Sequence, residues 1–304
     1  MEPEQKESAV ILAGGDKRFS LKEFFYQIGD LFRYKELHFR LGYKVLKGIK
    51  GNIDGKVEER PMFEHILSEL QKVERIGKII LVAPKEAMGE DLERRISSQY
   101  DKCEIVDQAD SFGGNVKKPY EEDPNRGHVL YLTADSPTTK KADIEEFLSI
   151  CDKLRDKYGL IYPIVSKGRL VKSGKLLRRI CFEVNPSGIF PEDYFDNEDS
   201  DKNGRVGMRI TSMAYVDLKG IQVEQIDEAH NIRRLLRRSS RVTLKKIFGK
   251  NKIKRYKQGI SISEIEDCVG DYEKIPTKVV GLNGAGCSLD VDSPRDKREI
   301  ERLL

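Results

Sequence analysis

The chain has 304 residues, 38% of them hydrophobic and 35% charged, with a formal net charge of +4. That length can bury a substantial core, and the composition is that of a soluble protein with a heavily charged surface. No apolar run approaches the roughly 18 residues that span a bilayer, and the first eight residues are acidic and polar, so neither a membrane anchor nor a signal peptide is expected. The five cysteines are widely spaced without a Cys-x-x-Cys pair and there are only four histidines. This points to reduced thiols in a cytoplasmic protein and away from disulfides or zinc.

In chain order, the first element is an apolar run at 8–13 that stops in Gly14-Gly15. A strand ending in two glycines lets the backbone bend sharply, so that amides can turn toward a base or phosphates. Residues 19–43 carry a helical stripe of Leu21, Phe24, Phe25, Ile28, Leu31 and Phe32. A helix is predicted over 61–75, with Pro61 in its first turn and Phe63, Ile66, Leu67 and Leu70 on one face. Buried strands are predicted at 78–83, 103–107, 128–133 and 160–165, and a second clear helix at 140–157 with Thr139 as its N-cap. This alternation predicts an α/β protein with a doubly wound, mostly parallel sheet, whose ligands bind beyond the carboxyl ends of the strands.

From about 176 the pattern changes to longer strands, 176–184 and 207–218, then a helical and basic region, and ends with a return strand near 279 and a terminal helix. Residues 233–257 hold 12 Lys or Arg and no acid, leaving the rest of the chain net acidic. The stretch reads as a solvated helical face, or as a site for an anionic ligand or membrane surface. Nucleic acid is not expected, because only Phe248 and Tyr256 could stack there. No linker divides the chain. The expected organisation is one domain over 1–304: a nucleotide-binding core at 1–175 with a helical insertion at 19–43, an acceptor-side and basic elaboration at 176–278, and a return segment at 279–304.

The candidate chemistry lies in carboxylates that leave apolar runs just before Ser-Pro turns. Asp135 follows Val129–Thr133, and Asp290 follows Ser288-Leu289. A carboxylate at a strand's exit can reach a cation while its backbone stays fixed, and Mg2+ takes one or two such ligands beside substrate phosphates. Asp292 suits a helix-capping role better. Lys17, Arg18 and Lys44 are the cations near the glycine turn that could offset charge on a leaving pyrophosphate. Asp199–Gly204 fits half a calcium loop, but Ile210 stands where the closing Glu belongs, so a polar turn is expected. Neither Walker-type nor Gly-x-Gly-x-x-Gly motifs occur.

Taken in order, several segments resemble nucleotidyltransferases of the GT-A type, nearest to the molybdenum-cofactor guanylyltransferase-like NTP transferases. These are Val10-Ile-Leu-Ala-Gly-Gly15, Tyr43-Lys-Val-Leu-Lys-Gly-Ile49, Arg60-Pro-Met-Phe-Glu-His-Ile66, Thr133-Ala-Asp-Ser-Pro137, Tyr162-Pro-Ile-Val165, Arg178-Arg179 and Leu289-Asp-Val-Asp-Ser-Pro294. The resemblance implies a Rossmann-like nucleotide-binding half in which Leu12, Ala13, Gly14, Gly15 and Arg18 meet an NTP. It implies Lys44 facing the phosphates, and Mg2+ held by Asp135 and Asp290. The implied reaction transfers a nucleotidyl group to a small phosphate or hydroxyl acceptor with release of pyrophosphate. The alternatives are a nucleotide-sugar glycosyltransferase on the same fold, which would want an Asp-x-Asp motif after a strand, and a non-catalytic nucleotide-binding module. The chain departs from the family pattern at 16–19, where the usual loop ending is shortened, at 51–56, where a turn is added, and at 210–214, where relatives carry a Gly-Gly-Asn turn.

Overall fold

The computed structural model describes residues 6–14, 44–53, 55–123, 126–172, 182–185, 205–219, 223–224, 226–227 and 260–304. Gly15, Lys17, Arg18, the 19–43 stripe, the Asp199–Gly204 turn and the basic stretch 233–257 lie outside them. The chain forms two compact units, one of Met1–Pro124, Leu130–Lys141 and Leu289–Leu304, the other of Asn125–Val129 and Ala142–Ser288.

The first unit is built on strands β1 (Glu7–Leu12), β4 (Ile76–Ala83), β5 (Cys103–Asp107) and β6 (Val129–Thr133). They lie in the order β6-β1-β4-β5, all parallel. Ala9–Ile11, Ile79–Ala83 and Val129–Leu132 are buried, as expected of parallel strands covered on both faces. The predicted strands at 8–13, 78–83, 103–107 and 128–133 are thus found within two residues. Helix α1 (Met62–Gln71) buries the predicted Phe63, Ile66, Leu67 and Leu70 stripe, with Pro61 one position earlier than expected, as N-cap. The helix is shorter than predicted, because Lys72 and Val73 turn back onto the carbonyls of Glu69 and Leu70. Helices α2 (Lys85–Gln99) and α3 (Phe112–Glu122) complete the crossovers.

An antiparallel hairpin of β2 (Gly48–Ile53) and β3 (Lys56–Pro61) fills the added turn at 51–56. Gly55 takes φ +86°, and its amide donates to Asn52 Oδ1 at 2.9 Å. Asp-Gly between strand-like runs is the sequence signal for such a hairpin.

The second unit centres on β7 (Leu160–Ser166). It is flanked on one side by parallel β12 (Thr277–Gly281) and on the other by antiparallel β9 (Val206–Ile210) and β10 (Met213–Val216). The short β8 (Phe182–Asn185) and β11 (Ile260–Ser261) extend from β9. Helix α4 (Lys141–Asp152) falls short of the predicted 140–157 and is followed by turns; α5 (Lys167–Lys172) and α6 (Ile262–Glu273) are the other described helices of this unit. Thr139 does not emerge as a cap: its hydroxyl donates to Ser136 O at 2.9 Å.

The strand predicted over 207–218 is one line broken in two. Ile210 pairs with Ile164 and Tyr215 with Ile161, so two extra residues bulge out opposite Pro163, which has no N–H to give the ladder. Thr211 closes the gap, its amide and hydroxyl both donating to Pro163 O at 3.3 and 3.0 Å. The helix α7 (Pro294–Ile300) returns to the first unit. Across the chain the described strand pairings are mostly parallel, and the fold is α/β. No described helix is long and apolar enough to cross a membrane.

Candidate functional site

Strand order locates the site. The chain runs from β1 to β4 to β5 on one side, then returns to β6 on the other side of β1. The carboxyl ends of β1 and β6 therefore flank the point where the winding reverses, the ligand crevice of open α/β sheets. Leu12 pairs with Thr133, and the Ala134 amide donates to Leu12 O at 3.2 Å. Gly14 and Asp135 each follow that pair by two residues, so they leave the same end of the sheet from neighbouring strands, which themselves lie roughly 5 Å apart.

Of the residues predicted to meet a nucleotide, Leu12 ends β1 and Ala13 is buried. The Ala13 amide donates to Val82 O at 2.8 Å and is therefore committed to the sheet. Gly14 is closely surrounded: a Cβ there would stand 2.8 Å from Asn115 Nδ2 and 3.0 Å from Gln108 Oε1. Asn115 is itself held, accepting from the Ala109 amide at 2.6 Å. Ser111 caps α3 by accepting from Gly114 N at 3.0 Å, which fixes the turn bearing Asn115. Gln108 and Asn115 were not singled out from sequence; the polar run after β5 was the only signal for them. Lys44 opens a 3-10 turn, Lys44–Leu46, immediately before β2; its side chain lies outside the described residues.

Asp135 and Asp290 do come together, and Asp292 joins them. The three carboxylates each offer an oxygen within 4.8 Å of the others, and all three residues are half-buried. Two further bonds fix the backbone: Val291 N donates to Asp135 O at 2.8 Å, and Asp292 N donates to Asp296 Oδ2 at 3.0 Å. Thr133 Oγ1 donates to Asp135 Oδ1 at 2.7 Å. The capping role expected of Asp292 belongs to Ser293, whose hydroxyl accepts from Asp296 N ahead of Pro294 at the first helical position. Asp292 instead stands in the cluster. Like charges about 4 Å apart near a surface repel by about 4 kcal/mol, so such a group gains from a bound cation. Hard oxygen donors, half exposed so that water and phosphate can complete the shell, fit Mg2+.

Arg60, in the Arg-Pro-Met segment, is engaged elsewhere. It donates to Glu58 at 2.7 Å and to Glu64 at 2.8 Å, and Glu64, fully buried on α1, also receives both Nη atoms of Arg95 at 2.6 Å. This is a clamp between α1, β3 and α2. Burial pushes the Cys103 thiol up to about 12, which removes it as a nucleophile at neutral pH.

No family model and no curated protein matches the sequence. Solved structures do. A hypothetical transferase from Thermus thermophilus aligns over 96% of this chain and 99% of its own, at 19% identity and a TM-score of 0.61. A CMP:2-keto-3-deoxy-manno-octonic acid synthetase complexed with CTP aligns over 98% of each chain, at 10% identity and a TM-score of 0.50. The chain therefore shares the α/β, mostly parallel fold of these two structures.

Proposed function

We propose that the chain is a Mg2+-dependent nucleotidyltransferase that moves an NMP group from an NTP onto a small phosphorylated or hydroxyl acceptor, releasing pyrophosphate. The observation that carries this reading is the convergence of the β1 glycine exit with Asp135, Asp290 and Asp292 at one switch point. A shared fold with transferase structures and the ordered motif resemblance support it; the motif order favours the molybdenum-cofactor guanylyltransferase-like branch.

In this reading the turn at Gly14-Gly15 cradles the nucleotide, with Arg18 beside it. Lys44 offsets the charge that builds on the leaving pyrophosphate. Asp135, Asp290 and Asp292 hold Mg2+, which when bound neutralises phosphate charge and orients the α-phosphate. The acceptor oxygen attacks that phosphorus in line as the bond to pyrophosphate breaks, and no covalent enzyme intermediate forms.

The test is pyrophosphate release from each of the four NTPs with Mg2+ and a panel of sugar phosphates. Asp135→Ala is expected to abolish turnover. Full turnover by that variant would overturn the metal assignment, and turnover only with nucleotide sugars would favour a glycosyltransferase.

A further inference from the structure

We propose that Asn115 selects the nucleobase, its Nδ2 donating to a carbonyl oxygen or ring nitrogen on the base edge. The inference rests on reading the chain as a nucleotidyltransferase. Asn115 lies in the first turn of α3, where its backbone amide donates to Ser111 O at 3.1 Å. Its side chain makes one bond: Oδ1 accepts from the Ala109 amide at 2.6 Å. An N–H can only donate, so that bond decides which end of the side-chain amide is oxygen and turns Nδ2 the other way.

Nδ2 comes to rest against Gly14, 2.8 Å from where a Cβ would stand, so glycine is what leaves that donor uncovered. Gly14 follows β1 to the switch point where ligands of such sheets bind. Asn115 is 8% exposed, and among the described residues Nδ2 has no hydrogen-bond acceptor. A donor left unmade in so enclosed a place costs its desolvation, and an acceptor on a ligand recovers it. Gln108 places Oε1 at 3.0 Å from the same point. A carbonyl oxygen there disfavours a phosphate, whose oxygens are negative and only accept. The uncharged edge of a nucleobase fits better, and its donors and acceptors differ from base to base. A site built to hydrogen-bond one such group discriminates against a ligand that lacks it.

The test is thermal melting of the full chain in MgCl2, titrated with ATP, GTP, CTP or UTP. Wild type, Asn115→Asp and Asn115→Ala are compared, with nucleotide-free melting temperatures reporting the fold. Asn115→Asp keeps an oxygen for the Ala109 amide and replaces only the donor. One NTP is expected to bind wild type best, and both variants to narrow its advantage over the others by about tenfold, the scale of one hydrogen bond. Equal weakening of all four NTPs, or no change, overturns the proposal, because a damaged turn or an added charge acts on every triphosphate alike. Four NTPs that bind wild type alike also overturn it, while leaving the nucleotide reading in place. A wild type that answers none of them removes the nucleotide reading itself, and the proposal with it.

Discussion

At the scale of single residues, Gly14 leaves almost no room for a side chain. An added methyl reaches Asn115 Nδ2 and Gln108 Oε1 at 3.0 Å or less. Gln108 can swing aside more cheaply than Asn115, which is almost fully buried and bonded to the Ala109 amide. Moving Asn115 therefore gives up a buried hydrogen bond. Gly14→Ala is expected to destabilise the protein by about 1–3 kcal/mol, the usual cost of overpacking. Denaturant unfolding checks this, and Asn115→Ala in the same chain should recover part of the loss, the signature of a direct contact. Asp292 makes a related point. Its place beside Ser293-Pro294 pointed to capping, and two adjacent residues compete for that role. The Ser293 hydroxyl takes it, and the Asp292 carboxylate lies beside Asp135.

At the scale of elements, α1 is held by more than its apolar stripe. Glu64 is fully buried and takes three guanidinium hydrogen bonds, from Arg60 and both Nη atoms of Arg95. Removing one partner of a buried pair leaves the other charges uncompensated. Glu64→Ala is expected to destabilise by about 3 kcal/mol, the lower end of that range, because the Arg95 side chain is 40% exposed and can rehydrate. Calorimetric melting measures it, and a loss under 1 kcal/mol would mean the cluster is only a surface network. The apolar stripe was legible in the sequence because its spacing repeats every helical turn. Glu64 was not, since nothing local shows that Arg95, 31 residues on, closes over it. The same distinction runs through the sheet. Continuous apolar runs marked β1, β4, β5, β6 and β7, whereas the β2–β3 hairpin alternates charge with glycine and carries only Asp54-Gly55 as a signal. The break in 207–218 needed Pro163, a residue of the opposing strand, to be explained.

At the scale of the molecule, the chain passes between its two units four times. No single linker marks that division. What the sequence did carry was the α/β alternation, which implies a switch point beside the first strand.

A global property then follows from one histidine. His65 on α1 packs beneath Gly51 of the hairpin, and its Nε2 lies 3.1 Å from Ile49 O, so the neutral ring donates there. Burial is the largest influence on the ring and holds its pKa below the ordinary 6.5, outweighing the carbonyl and Glu64, which act the other way. Above pH 6.5 neither the folded nor the unfolded chain carries this proton, and His65 contributes no pH dependence. Below pH 6.5 the unfolded chain takes it up while the folded chain resists, so acid draws the equilibrium toward unfolding until the folded pKa is reached. Stability should therefore fall between pH 7.5 and 5.5. His65→Gln keeps a donor for Ile49 O and removes the titration, so its urea midpoint should fall less over that interval. Equal falls in the two proteins would place the acid sensitivity elsewhere and leave the hairpin's anchor independent of pH.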